Sequence, residues 1–256
     1  MTQQELNEIK IFCKLLSEKS GEIISSYFRT GIKPESKKDE SPVTIADKKA
    51  EEIMRELIGK EFPEHGILGE EFGASNPDAE YQWILDPIDG TKSFISGATT
   101  FGTLIAFCKK DEPLVGVINQ PILNEFMIGD NETTTLNGTP TKIRSVNSLS
   151  EAILLTTDIL NIEEFQNLDK FLGLARKTKY LRMWGDCYGY LLVAGGFADI
   201  MIDPIMNPWD SRALIPVING AGGVITDYHG NSAIIGNSTV ASSKELHAEI
   251  IGLLNS

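Results

Sequence analysis

Apolar residues at the start of the chain recur at helical spacing: Leu6, Ile9, Phe12, Cys13 and Leu16, then Ile23, Ile24 and Tyr27. The period predicts one long amphipathic helix that ends near Gly31. A polar, charged connection follows from Lys33 to Glu40. A second helix from about Thr44 places Ala46, Ala50, Ile53, Met54 and Leu57 on one face and closes before Pro63. Short apolar runs at 66–68 and 83–85 each lead into acidic residues, so they read as strands with carboxylates at their carboxyl ends. From Phe101 to Arg144 the pattern shortens to FGTLIAFC, LVGVINQP, EFMIGD and TKIRS, an antiparallel meander. Asn137-Gly138, between TTTL and TPTKI, is a hairpin signal within it.

Beyond Ser150, strands and helices alternate. AILLTT precedes a helix around 162–175, YLRMW a helix around 188–195, and ADIMID a helix around 210–219. A strand at 223–226, two short strands and a last helix from about Ser243 complete the chain. Pro216, which lacks an N–H, is expected to kink or tighten its helix. The pattern implies an α+β part over 1–145 and an α/β part over 146–256, packed without a loose linker.

Composition narrows the class. With 256 residues, 41% of them hydrophobic and 23% charged, the chain resembles an ordinary globular protein and not a disordered one. Its 36 acidic against 23 basic residues give a net charge of −13, which argues against a nucleic-acid partner, since neutralising phosphates takes clustered Lys and Arg. The longest apolar stretch, 190–202, is interrupted by Asp199 and two glycines and is too short to span a bilayer. MTQQELNEIK has no basic region leading into an apolar one, so a cytoplasmic setting is expected. Cys13, Cys108 and Cys187 are odd in number and lack metal-site spacing, which suits reduced thiols. The three histidines, His65, His229 and His247, are scattered, which disfavours a His-rich metal site.

The densest chemistry is WILDPIDGT at 83–91. An apolar strand is expected to end at Asp86, with Pro87 turning the chain, the Ile88 carbonyl exposed and Asp89 folded back beside Asp86. Gly90 permits a sharp bend and a short helix could begin at Thr91. Two carboxylates and a carbonyl are hard oxygen donors, suited to Mg²⁺ or Mn²⁺ far better than to Zn²⁺. Upstream, GEE at 69–71 places Glu70 and Glu71 at another strand end. Downstream, NPWD at 207–210 places Asp210 at a helix start, where it could equally be an ordinary N-terminal cap.

GEE, WILDPIDGT, PWD at 208–210, GAGG at 220–223 and TIAD at 44–47 together resemble the inositol monophosphatase family of metal-dependent phosphatases, in order and spacing along essentially the whole chain. The resemblance implies a layered α/β/α/β/α sandwich and a small phosphate monoester as substrate. It implies two or three Mg²⁺ ions: one on Glu70, Asp86 and the Ile88 carbonyl, a second on Asp86, Asp89 and Asp210, and a third held weakly through Glu70. It also implies that Thr91, relaying its proton to Asp47, orients the attacking water, and that the Gly90 and Thr91 N–H groups bind phosphate. Sensitivity to lithium and a homodimer are family expectations as well. Because simple metal holding requires neither Thr91 nor Asp47, their presence favours an enzyme over a metal clamp or phosphate sensor.

The stretch WGDCYGY at 184–190, TKSFISG after the metal turn and ALIPVINGAGGVITD at 213–227 look like the histidinol-phosphatase branch, with inositol-1-phosphate as the alternative substrate. Histidinol phosphate carries cationic groups, so Asp186 beside Gly185, and Asp203, could pair with them through charge-assisted bonds. Asp186 could instead cap the following helix. Asp203 also suits sugar hydroxyls, and its side chain is shorter than the glutamate more usual at that place. Trp184 and Tyr188 either line the pocket or simply pack, and Glu71 either supports the site from behind or faces solvent.

Overall fold

The computed structural model describes residues 1–36 and 42–256, so the expected connection from Lys33 to Glu40 falls partly outside the described residues. A capping box between Thr2 and Glu5 starts α1 (Gln3–Tyr27). It stops a turn short of the expected end, because Arg29 at φ 58° and Gly31 at φ 74° have already left the helical region. The short strands β1 (Glu35–Ser36) and β2 (Pro42–Val43) lead into α2 (Ile45–Glu61), whose N-cap is Thr44. The apolar stripe of α2 is as predicted in outline, but its most buried face also carries Asp47 and Glu51. Ile53 and Leu57 are only half-buried.

The first large sheet contains β3 (Gly66–Gly69), β4 (Gly73–Ser75), β5 (Tyr81–Asp89), β6 (Gly102–Lys109), β7 (Glu112–Gln120), β8 (Glu125–Gly129), β9 (Thr134–Leu136) and β10 (Thr139–Pro140). Their spatial order is β10-β9-β8-β7-β6-β5-β3-β4. Only β3 and β5 pair in parallel; a short helix, α3 (Thr91–Ile95), follows β5. The hairpin at Asn137-Gly138 is present, both residues at positive φ. The predicted TKIRS strand is not. There the Ile143 N–H donates to the Ala221 carbonyl and Arg144 pairs with Asp199, so the segment crosses to the other half of the molecule and joins no ladder.

The second sheet comprises β11 (Ile153–Thr156), β12 (Tyr180–Arg182), β13 (Ile200–Asp203), β14 (Val224–Thr226) and β15 (Thr239–Ser242), in the order β12-β11-β13-β15-β14. The helix expected over 162–175 is two, α4 (Ile159–Phe165) and α5 (Leu168–Ala175), because Asn167 caps a fresh start through the Lys170 N–H. α6 (Asp186–Ala194) begins two residues earlier than expected. The helix around 210–219 is also two, α7 (Pro208–Ser211) and α8 (Leu214–Gly220). Pro216 therefore sits in the first turn of α8, where a missing N–H costs nothing, and it does not kink a longer helix. Between β14 and β15 an isolated bridge, Thr226 to Ser232, takes the place of an expected strand. α9 (Lys244–Asn255) closes the chain.

The cores show how these elements stack. α1 and α2 cover one face of the first sheet, around Phe12, Leu16, Met54, Trp83 and Phe107. α6 and α8 fill the space between the sheets, packing Ile84, Leu104 and Ile118 against Tyr190, Met201 and Leu214. α4, α5 and α9 cover the outer face of the second sheet through Ile162, Phe171 and Ile250. Helices and sheets thus alternate in five layers, α/β/α/β/α. The first sheet is drawn from residues before 145 and the second from residues after 146, and the central cluster belongs to both.

Candidate active site

β5 does not end at Asp86. It continues to Asp89, and its register against β6 slips by one residue: Asp86 faces Leu104 and Asp89 faces Gly102. In a regular strand, residues three apart point to opposite faces. The extra residue of this bulge, at Pro87 and Ile88, returns Asp89 to the face that carries Ile84 and Asp86. Ile88 points the other way, into a cluster with Ala46, Phe94 and Phe101. The Thr103 hydroxyl donates to the Pro87 carbonyl at 2.9 Å and fixes the bulge.

Carboxylate oxygens of Asp86, Asp89 and Asp210 lie within 4.8 Å of one another. Asp210 is not the N-cap of α7. Asn207 is, and Asp210 reaches back three residues to accept its N–H at 2.7 Å. Glu70 follows β3 and is held beside β5 by its N–H on the Leu85 carbonyl, at 3.1 Å. These residues line a cleft of about 580 Å³. Every site residue selected from the sequence lines it except Asp47, which is buried behind Thr91.

Electrostatically the cluster is unfinished. Burial pushes the Asp86 carboxyl well above the usual carboxylate range, and Glu70, Asp89 and Asp210 add repulsion. Asp89 is raised in the same way by burial and then by Asp186 and Asp210, even though it accepts the Cys187 N–H. Burial lifts Asp210 to about 7. Asp86 Oδ1 is buried with no hydrogen-bond partner. Among the described residues, no Lys or Arg pairs with Asp86, Asp89 or Asp210. Four convergent carboxylates with an orphaned buried oxygen fit a hard divalent cation.

Thr91 is the first residue of α3 after Gly90, which has φ 88°. A Cβ at Gly90 would stand 2.7 Å from Asp186 Oδ2, so both conformation and space require glycine. Thr91 Oγ1 lies 3.3 Å from Asp47 Oδ1 and 3.1 Å from the Ile88 carbonyl. The other Asp47 oxygen accepts the N–H and hydroxyl of Thr44, at 2.8 and 2.5 Å, so TIAD is a capping box that also aims a carboxylate at Thr91. Burial raises Asp47, against the Thr44 bonds.

On the opposite wall, Asp186 does not cap α6 with its side chain. It adopts φ 49°, donates its N–H to Thr157 Oγ1 at 2.8 Å and accepts the Ser93 hydroxyl at 3.0 Å. Burial, with Asp203 adding, lifts it to about 7. Gly185 is needed because a Cβ would fall 2.2 Å from the Thr157 Cα. Asp203 is buried and accepts from the Thr157 N–H at 3.3 Å and the Tyr190 hydroxyl at 2.9 Å. Trp184 and Tyr188 do not line the cleft; Trp184 is 45% exposed and Tyr188 packs on the central core. Ser93, Thr157, Asp158 and Tyr190, absent from the sequence-based set, do line it. Asp158 could have been found, since it follows the carboxyl end of β11, where open α/β sheets bind ligands.

Residues 5–256 match the inositol monophosphatase family. A chloroplastic bifunctional phosphatase of Arabidopsis thaliana is 44% identical over 249 residues, covering 95% of this chain and 71% of that one. A histidinol-phosphatase of Chlorobaculum parvum is 36% identical over 245 residues, 93% of each chain. The solved structure of an inositol monophosphatase from Zymomonas mobilis superposes with a TM-score of 0.88 at 33% identity, covering both chains completely. The family is metal-dependent, and the acidic cluster of this chain could hold a metal. With its fold, its clustered carboxylates and these relatives in agreement, this phosphoric monoester hydrolase belongs to the inositol monophosphatase family.

Proposed function

We propose that this phosphatase is Mg²⁺-dependent and hydrolyses L-histidinol phosphate. The observation that carries the substrate reading is the acidity of the cleft wall facing the metal cluster. Asp158, Asp186 and Asp203 line it, and Lys92 is the nearby cation that bears on Asp186. A leaving group with an ammonium and an imidazole suits such a wall better than one bearing only hydroxyls. The likeness to a histidinol-phosphatase along nearly the full chain supports the same choice.

In this reading Glu70, Asp86 and the Ile88 carbonyl would hold one cation, and Asp86, Asp89 and Asp210 a second, with Glu70 contributing to a third. Divalent cations held there would supply neutralisation of the carboxylates, attraction for the phosphate and stabilisation of charge in the transition state. The chain does the rest. The Gly90 and Thr91 N–H groups, at the start of α3, face phosphate oxygens. Thr91 Oγ1 takes a proton from the attacking water as its own proton moves to Asp47 Oδ1. Burial of Asp47 raises its basicity and suits it to that proton. Gly185 lets the chain approach closely enough for Asp186 to meet the substrate, while Asp203 braces that wall through Thr157 and Tyr190.

A second reading, inositol-1-phosphate, is favoured by the complete overlay on the Zymomonas mobilis enzyme. Phosphate release with Mg²⁺ from histidinol phosphate and from inositol-1-phosphate decides between them. The expected result is a clear preference in kcat/KM for histidinol phosphate, and preference for the inositol ester overturns the substrate reading. A homodimer in the cytoplasm, and parts 1–145 and 146–256 as its two structural halves, complete the proposal.

A further inference from the structure

We propose that Glu51 is a positioning residue for Glu70, and that α2 sets the span of the active site by gripping its two ends with buried carboxylates one helical turn apart. The proposal rests on the reading that Glu70 ligates a cation.

Glu51 is fully buried on α2. Its Oε2 accepts the Glu71 N–H at 2.8 Å, and its Oε1 accepts the Phe72 N–H at 3.2 Å. These are the two residues after Glu70, in the three-residue loop joining β3 to β4. The loop is thus wrapped around a side chain from another element, and the last strand residue before it must let that side chain in. At Gly69 a Cβ would fall 2.0 Å from Glu51 Oε1, so only glycine fits. Arg55, one turn further along α2, donates to Glu51 Oε1 at 2.7 Å and to the Gly73 carbonyl and Ser75 hydroxyl on β4. A buried charge is thereby paired inside the fold, and both sides of the loop are tied to α2.

Asp47 and Glu51 are four residues apart on α2 and therefore share a face. Asp47 holds Thr91 through Oδ1, and Glu51 holds the backbone that follows Glu70. A helix is stiff on this scale, so the two grips fix the separation of the Thr91 turn and the Glu70 loop. Supports of this kind behind a metal ligand typically carry about 10–100-fold in metal affinity.

Glu51→Gln puts an amide N–H against backbone donors and loosens the loop without removing volume. The expected result is a rise of about tenfold in the Mg²⁺ activation constant for phosphate release, with a smaller loss of kcat at saturating Mg²⁺. Mn²⁺ affinity of the metal-free protein, read from the paramagnetic resonance signal of free Mn²⁺, should fall by the same factor. Glu70→Gln alone should weaken Mn²⁺ binding, and adding Glu51→Gln to it should weaken it little further, because both act through one ligand. Arg55→Gln, at a partly exposed side chain, should move the same constants by about threefold and tests the idea should Glu51→Gln not fold. Variants at Glu51 and Arg55 that melt earlier but keep wild-type Mn²⁺ affinity would overturn the proposal. Unchanged Mn²⁺ affinity in Glu70→Gln is a separate outcome, which removes the ligand reading beneath it.

Discussion

Asp199 and Asp86 are both almost inaccessible aspartates, and the chain treats them in opposite ways. Asp199 receives a two-pronged grip from Arg144 and the Ile153 N–H at 2.6 Å. Asp86 has one buried oxygen with no partner, and its closest charged neighbours are the acids Glu70, Asp89 and Asp210. The first carboxylate is compensated from within the sequence and braces the segment after β10 against β13. The second is left for something in solution to complete. Burial alone therefore does not mark a functional acid; the absence of an internal counter-charge does.

The sharpest way to break this contrast is to neutralise members of each group. Asp86→Asn or Asp89→Asn should lower Mg²⁺-dependent phosphatase activity by about three orders of magnitude or more, roughly 4 kcal/mol in the barrier. The metal-free variants should melt no earlier than wild type, since each loses a mutual repulsion; near-normal turnover in either would sink the assignment. Arg144→Met should do the reverse. It leaves Asp199 buried and unpaired at a cost of about 3 kcal/mol, the low end for a buried pair because Arg144 is partly exposed, and a urea titration checks it. Activity per folded molecule and the Mg²⁺ activation constant should not move.

The pH dependence sharpens the same comparison. The Asp210 carboxyl, raised from 3.8 to about 7, keeps in the folded state a proton that the unfolded chain releases near pH 4. Its contribution is present below that lower value and is lost as pH rises towards 7. Metal-free Asp210→Asn should accordingly gain on metal-free wild type between pH 4.5 and 7.5 in melting temperature, and Mg²⁺ at pH 7.5 should reverse the order. A gap that stays constant with pH would refute the shift. The smallest effect is expected at Tyr190→Phe, which removes one donor from Asp203 and should cost about 1 kcal/mol without changing the Mg²⁺ requirement. A large shift in the Mg²⁺ activation constant would instead place Asp203 among the cation's own partners.

Much of the site could be seen in the sequence because its chemistry is concentrated in short words. GEE, DPIDGT and PWD name the four carboxylates that converge, and TIAD names the one behind Thr91. What could not be read was how those words meet. No local pattern separates a strand that ends at Asp86 from one that bulges and runs on to Asp89, since the difference lies in the register against β6. Glu51 carries no local signal, because its partners are backbone N–H groups 20 and 21 residues away. The breaks at Gln166 and Arg212 were missed for a related reason. The apolar spacing runs through both; Asn167 caps the restart at α5, and α8 restarts at Ala213 with no side-chain cap to announce it. The five layers followed from the family resemblance; the order of helical and alternating segments by itself indicated only an α+β part followed by an α/β part.

The bulge in β5 also sets what kind of change this site can survive. Two residues separate Asp86 from Asp89, and only the bulge brings the two carboxylates to one face across that odd spacing. A variant that keeps the count but lets the strand run straight would turn Asp89 to the other face, towards Phe94 and Phe101. Removing Pro87 or Ile88 would instead leave Asp89 two residues after Asp86, on the same face by simple alternation, and would cost the turn between them. The site is in this sense written in a kink: its acids would still face one way after a dropped letter, but not along a straightened line.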